Sequence, residues 1–143
     1  MGSDPRESYA LERFVVAQQP VFDRVVTELR QGCKATHWMW FIFPQLAGLG
    51  SSPMARTYAI SGLDEARAYL QHPVLGQRLR QCVELVVRAD AGNISQLFGY
   101  PDDLKFRSSL TLFLQASAHE GLFQAALDKY FGGTGDQRTL ERL

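Results

Sequence analysis

The sequence lacks an excess of charge, a long apolar run and a patterned set of metal ligands. Its 15 basic residues balance its 15 acidic residues, which disfavours an extended nucleic-acid footprint but still allows a local basic pocket for one phosphate group. No apolar run reaches the length of a membrane span. Cys33 and Cys82 match no zinc or Cys-x-x-Cys spacing, and the three histidines are scattered. We therefore expect no metal site and no cofactor.

The N-terminal stretch MGSDPRESYALERF also lacks the apolar segment of a secretory signal. We therefore expect a cytoplasmic protein with reduced cysteines and no membrane partner, present as a monomer or a dimer. At 143 residues and 45% hydrophobic content, the chain fits one compact domain with a continuous core. We interpret residues 1–8 as a disordered or vector-derived N-terminus and residues 9–143 as a single helical domain.

Helical periodicity is the strongest pattern present. One stretch, closed by Gly32, carries apolar residues at helical spacing: Phe22, Val25, Val26 and Leu29. Ser61 with Asp64 resembles a capping box at a helix start. The apolar segment 38–43 has the composition of a buried strand, but no second strand offers to pair with it. We predict an all-α, compact fold of about seven or eight short helices joined by Gly/Pro turns.

Residues 34–45, KATHWMWFIFPQ, combine large aromatic side chains with Lys34, His37 and Gln45. Such a run is typical of core, yet on a helix its aromatics divide between two faces, one holding Trp40 and the other Trp38. One face is then free to pack while the other lines a cleft. A nucleophilic Cys33 activated by His37 is disfavoured because Gly32 breaks the helix that would align them.

A second polar cluster lies in residues 101–113, PDDLKFRSSLTLF. Asp102, Lys105 and Ser109 share one helical face, and hydroxyls in mid-helix compete with the backbone unless they have other partners. An internal hydrogen-bond network and a ligand site both explain this density. Glu65, one turn before Tyr69, is interpreted as a surface or capping carboxylate, with a catalytic role as the alternative.

Three strings resemble the bacterial domain of unknown function 1810 family: HWMWFIFPQLAGLGSSPMARTYAI, LDEARAYLQHPVLGQRL and FGYPDDLKFRSSLTLF. The resemblance runs from about Leu11 to Leu143 and implies a small, all-helical, single-domain protein without an established activity. Phe106 stands where the family more often has leucine. Some members carry the label calpastatin, but no extended inhibitory segment is visible here.

A distant similarity links the chain to the NADAR or YbiA-like group of helical domains, which handle ADP-ribose adducts. Both pair an aromatic segment ending in proline with a later Glu-Ala-x-x-Tyr helix, here Phe41, Phe43 and Pro44 followed by Glu65, Ala66 and Tyr69. This similarity implies, as a hypothesis, an N-glycosidase acting on an ADP-ribose-type nucleotide.

The chain therefore has two candidate functions. The first is a pocket for a small anionic or nucleotide-like ligand. Its ligand-binding residues would be Lys34, Trp38, Trp40, Gln45, Lys105 and Ser109, and its catalytic residues Glu65, Asp102 and His37. Aromatic rings would stack on a base, lysines would bind phosphate, and carboxylates would assist glycosidic cleavage. The alternative is a non-catalytic module for protein–protein interaction, in which the aromatics are core and an exposed apolar patch meets a partner.

Overall fold

The structure is a computed structural model that describes residues 9–143. The prediction for residues 1–8 lies outside the described residues. In the described part the regular elements are helices, without a named strand, which confirms the all-α prediction. The helices there number ten and are, as α1 to α10 in chain order, Glu12–Gln18, Phe22–Gln31, Met39–Ile42, Pro53–Thr57, Leu63–Gln71, Leu75–Arg88, Ile94–Phe98, Asp102–Ala116, Gly121–Phe131 and Gln137–Arg142.

The predicted number of seven or eight helices is therefore too low. The last helix, α10, has only six residues and buries one of them, Thr139, so it presents no apolar stripe to reveal it. Helix α3 has four residues, which is about one turn and too short for periodicity to identify. Both short helices adjoin the candidate site described below.

Helix α8 is the centre of the domain. It contacts α3, α5, α7, α9 and α10, and from Phe106 to Ala116 nearly every side chain is buried. A helix surrounded in this way must be apolar on most sides. Its buried Ser108, Ser109 and Thr111 are exceptions, and each of these hydroxyls therefore requires a hydrogen-bond partner or carries a cost.

The aromatic segment 38–43 packs against α8 rather than lying along the surface. Phe43 and Phe98 each lie 4.9 Å, between ring centroids, from Phe106, and Trp38 lies 6.4 Å from Phe98. Such tilted and edge-on ring pairs add to the stabilisation that burial already provides. Most of this segment is therefore core, as composition alone suggests.

Helix α2 ends at Gly32 as predicted, and α9 ends at a glycine in the same way, whereas the start of α5 differs from the prediction. Gly32 and Gly132 adopt the left-handed conformation, with φ of 73° and 63°, at the ends of α2 and α9. The capping box predicted at Ser61 has the wrong partner, Asp64. Because Gly62 occupies the N-cap, the carboxylate that returns to the Ser61 amide is that of Glu65, at 2.9 Å.

Between α3 and α5 the two ends of one backbone segment are joined by hydrogen bonds. Ala47 donates to the Ile60 carbonyl at 2.8 Å and Ile60 donates to the Gln45 carbonyl at 2.9 Å, forming an isolated parallel bridge of Leu46 with Ile60. The intervening segment 47–59, which includes α4, is thereby held at both ends.

A bilayer crossing would need a longer and more apolar helix than any found within residues 9–143. Over the same residues, no three His, Cys, Asp or Glu side chains come together as metal ligands would.

Candidate functional site

The loop between α2 and α3 is shaped by one carboxylate, Glu28 in the last turns of α2. Its Oε1 accepts hydrogen bonds from the amides of Ala35 and Thr36, at 2.7 and 3.0 Å, and from Trp38 Nε1, at 3.0 Å. Its Oε2 accepts from Thr36 Oγ1 at 2.6 Å. Because these donors are all local, Glu28 folds residues 35–38 around itself and fixes the orientation of Trp38.

These hydrogen bonds keep Glu28 charged despite its burial. Burial alone would raise the pKa of this carboxyl group, but the bonds from the Thr36 hydroxyl, the two backbone amides and Trp38 outweigh it and lower the pKa from 4.5 to about 2. Donors that favour the charged form act in this direction. The loop is therefore held by an anion at every pH above about 3.

The folded loop places Lys34 beside the start of α8. Lys34 Nζ lies 2.9 Å from Asp102 Oδ2, and its side chain is only 7% exposed. The backbone amide of Lys34 donates to the Leu97 carbonyl at 2.7 Å. The ammonium also lies 5.1 Å from the ring centroid of Trp38, within the range of a cation–π contact. Lys34 is thus fixed by its charge, its backbone and its aromatic neighbour.

Asp102 is shared between two lysines. Lys105 Nζ lies 3.6 Å from Asp102 Oδ1 and 5.5 Å from the ring centroid of Trp40. The longer distance and the greater exposure of Lys105, whose side chain is 29% exposed, make it the weaker of the two pairs. A competing anion would therefore displace Lys105 from Asp102 more readily than Lys34.

Lys105 opens onto a cleft of about 300 Å³ between the start of α8, the start of α10 and the loop after α3. Three chain segments contribute to its walls, which consist of Gln45, Leu49, Gly50, Tyr100, Pro101, Leu104, Lys105, Ser108, Asp136 and Arg138. Tyr100 is 81% exposed. Arg138 is exposed and forms no hydrogen bond or ion pair with any residue in the described range 9–143. The cleft therefore offers two cations, an amide and an aromatic ring.

Asp136 anchors the far wall of the cleft. Its Oδ2 accepts hydrogen bonds from Ser108 Oγ at 3.1 Å, the Thr139 amide at 3.0 Å and Thr139 Oγ1 at 2.6 Å. Its own amide donates to Thr111 Oγ1 at 2.8 Å. The hydroxyls of Ser108 and Thr111 thus join α8 to α10. For these two residues, the dense polar cluster of α8 is an internal network.

The structure brings together five of the residues predicted for the site. Lys34, Trp38, Trp40, Asp102 and Lys105 form one connected group at the start of α8. Gln45 is adjacent to the same group as a wall of the cleft, together with Lys105. The two sequence segments, 34–45 and 101–113, therefore do converge, although their residues do not all face the cleft.

Trp38 and Trp40 have different surroundings from those expected. Trp38 is only 1% exposed and belongs to the core, where its ring nitrogen donates a hydrogen bond to Glu28. Trp40 is half-buried beneath Lys105. The predicted division into two aromatic faces depended on a helix running through His37, but α3 begins at Met39. His37 is exposed and contacts neither Lys105 nor any other described residue through a hydrogen bond or ion pair.

Glu65 and Ser109 lie apart from the cleft. Both oxygens of Glu65 are engaged, one with the Ser61 amide and the other with Arg13 Nη2 at 3.0 Å. Arg13 itself donates to the carbonyls of Thr57 and Ala59, so this pair joins α1 and α5 to segment 47–59. Ser109 is buried and its Oγ lacks a hydrogen-bond partner among the described residues. Their functional roles stay predictions.

A larger cleft of about 450 Å³ lies beside Glu65, but its charges are already engaged. Glu65 pairs with Arg13, Arg67 pairs with Asp64 at 3.2 Å, and Arg142 donates to the Ala47 carbonyl at 3.3 Å. An incoming anion would compete with these contacts. The smaller cleft at Lys105 also contains Arg138, which has no such contact among residues 9–143.

Sequence reasoning missed four residues of this region: Glu28, Tyr100, Asp136 and Arg138. A signal existed for Asp136, since an aspartate three residues before Thr139 is typical of a helix N-cap. Once α10 is placed after Asp136, Arg138 lies in its first turn. Glu28 lies on α2 among apolar residues that fit the helical stripe, and nothing in its spacing distinguishes it from a surface acid.

Comparison with known proteins gives a family and a solved structure. Residues 8–143 match the model of the family described as "Protein of unknown function (DUF1810)". The crystal structure of the conserved hypothetical protein Rv1873 from Mycobacterium tuberculosis is 54% identical and has a TM-score of 0.93, and the match covers 95% of this chain and 97% of that chain. No curated protein matches. The distant similarity to the NADAR group has no support in these matches.

Proposed function

Because the chain belongs to the family of proteins of unknown function DUF1810, no activity comes with its membership, and we propose that it binds a small anionic, nucleotide-like ligand in the cleft at Lys105. The observation that carries the proposal is the pair of cations in the cleft wall, Lys105 and Arg138. One has a weak partner and the other has no partner among residues 9–143.

The local charge favours an anion. Around the cleft, three cations, Lys34, Lys105 and Arg138, stand against two carboxylates, Asp102 and Asp136, so one positive charge is left over. In a chain with balanced total charge, this excess is local rather than a general field. A lysine and an arginine suit phosphate oxygens, the first as a point charge and the second as a planar donor.

The remaining walls suit an organic ligand rather than an inorganic ion alone. Tyr100 presents an exposed ring on which a base can stack. Leu49 and Leu104 supply apolar surface, and Gln45 supplies an amide with both a donor and an acceptor. A volume of about 300 Å³ lies at the lower end of the range for small-molecule pockets.

The proposal is confined to binding. Hydrolysis of an N-glycosidic bond by the predicted catalytic set would require Glu65, Asp102 and His37 to meet at one substrate. Of these, only Asp102 adjoins the cleft, and its carboxylate is held by two ammonium groups. Glu65 is bound to Arg13.

Calorimetry and thermal unfolding with AMP, ADP, ADP-ribose and inorganic phosphate test the proposal. Lys105→Gln and Arg138→Gln should each weaken nucleotide binding about tenfold or more, because a hydrogen bond to a charged group contributes about 1.5–3 kcal/mol. Arg30→Gln makes the same charge change on the exposed surface of α2 and should leave binding unchanged. If none of the four compounds binds, or if all three variants behave alike, the proposal is wrong and the interaction module becomes the better explanation.

A further inference from the structure

The two carboxylate oxygens of Asp136 differ in their contacts with residues 9–143. Three donors, from Ser108 and Thr139, converge on Oδ2, whereas Oδ1 accepts no hydrogen bond from any residue between 9 and 143. The residue is half-buried and lines the cleft. A carboxylate oxygen with several free lone-pair sites is a strong acceptor.

Contacts with α8 fix the orientation of this carboxylate. The amide of Asp136 is bound to Thr111 on the central helix α8, and a side chain on the preceding Gly135 would press within 3.1 Å of Thr111. Ser108, also on α8, binds the same oxygen as Thr139. The side chain therefore cannot turn to satisfy Oδ1 without breaking these contacts.

An acceptor placed beside two cations selects for a particular kind of ligand. The negative charge of Asp136 repels a phosphate, while Lys105 and Arg138 attract one. A ligand that suits all three carries an anionic group at one end and hydroxyl donors near it. Ribose hydroxyls on a carboxylate are a recurrent arrangement in nucleotide sites.

We propose, resting on the proposed function, that Asp136 Oδ1 accepts a hydrogen bond from a ribose hydroxyl and that the ligand of the cleft is a ribosyl phosphate. The phosphate lies at Lys105 and Arg138, and the hydroxyls lie at Asp136. Where the ribose carries a base, Tyr100 lies at the open side of the cleft to stack on it. Asp136 is thus a specificity-determining residue.

The test compares AMP with 2′,3′-dideoxy-AMP, which has the same charge and base but lacks both ribose hydroxyls. The wild type should bind AMP about tenfold more tightly or better, since a site built around a hydroxyl rejects the analogue that lacks it. Ribose 5-phosphate identifies the source of the ribosyl phosphate. Binding as tight as that of AMP indicates a sugar phosphate, and weaker binding indicates a nucleotide.

Asp136→Asn provides the matched variant. Asparagine caps a helix about as well as aspartate, so its carbonyl can keep the bonds from Thr139 while its NH₂ group replaces the acceptor. We expect this variant to bind AMP and dideoxy-AMP equally. Asp23→Asn makes the same change on the exposed surface of α2 and should retain the preference for AMP.

The outcomes separate the two proposals. If the wild type binds AMP and dideoxy-AMP equally, or if Asp136→Asn retains the preference, the role of Asp136 is overturned and the anionic cleft stands. If neither AMP nor ribose 5-phosphate binds the wild type, the ribosyl phosphate proposal is overturned, and the proposed function is overturned as well if ADP, ADP-ribose and inorganic phosphate also fail to bind. Should Asp136→Asn fail to fold, as judged by its helical circular dichroism, the wild-type comparison alone decides.

Discussion

Glu28 should make an unusually large contribution to stability for a single carboxylate, and the contribution should depend on pH. Its pKa falls from 4.5 to about 2 on folding. Since one pKa unit corresponds to about 1.36 kcal/mol, this difference amounts to roughly 3 kcal/mol of folding free energy at pH 7. A group whose pKa is lowered in the folded state stabilises above its unfolded pKa. The contribution is therefore full above about pH 5 and is lost as the pH falls from 4.5 towards 2.

The substitution that tests this is Glu28→Gln. Glutamine keeps a carbonyl oxygen for the amides of Ala35 and Thr36 and for Trp38 Nε1, but it removes the charge. Urea unfolding followed by tryptophan fluorescence should show the variant about 3 kcal/mol less stable than wild type at pH 7, and only about 1.5 kcal/mol less stable at pH 3. Trp38 lies against Glu28 and reports directly on the loop.

The control is Glu84→Gln. Glu84 forms an exposed pair with Arg88 one turn along α6, at 2.9 Å, and such pairs contribute about 0.5 kcal/mol or less. Its difference from wild type should be small at both pH values. A Glu28→Gln variant that loses the same free energy at pH 7 and pH 3 would show that packing, rather than the charge, accounts for the loss, and the reasoning would be refuted.

Two further predictions concern hydroxyls and glycines. Ser109→Ala should be neutral or raise the free energy of unfolding by about 1 kcal/mol, because it removes a buried hydroxyl that has no partner among residues 9–143. Ser108→Ala breaks the hydrogen bond to Asp136 and should lower the free energy of unfolding by about 1 kcal/mol. A loss of stability in Ser109→Ala would contradict this. Gly76→Ala should unfold at markedly lower temperature, since its Cβ would overlap the Leu70 carbonyl. Gly121→Ala, with nothing within 4 Å, should be stabilised by about 0.5–1 kcal/mol. Equal melting temperatures for the two glycine variants would refute the close packing of α5 on α6.

The fold class follows from the sequence because its helices repeat apolar residues at a regular spacing. The stripe of α2 and its end at Gly32 are as predicted. α10 was missed because Thr139 is its one buried residue. The capping partner at Ser61 differs by one position because Gly62, rather than Ser61, is the N-cap of α5.

The sequence could identify the two segments that form the candidate site, but not which of their residues contact each other. Residue types indicated that segments 34–45 and 101–113 hold the polar residues of interest, and the pair of Lys34 with Asp102 joins them. The pairing itself is a contact between residues far apart in sequence, which local spacing cannot supply. The helical phase assigned to His37 and Trp38 is wrong, because a buried acid on α2, Glu28, holds residues 35–38 in a loop by accepting their hydrogen bonds.

The cleft wall formed by segment 47–59 should open more easily than the wall formed by α8. Not one of these thirteen positions is buried, and the backbone closes at the Leu46 and Ile60 bridge. Segments with little buried surface open at low free energy, independently of the rest of a domain. Amide hydrogen exchange should therefore be fast at Leu49 and Gly50 and slow along α8, whose residues form the opposite wall. A ligand that binds between them should slow amide exchange at Leu49 and Gly50, while exchange along α8 is already slow without it.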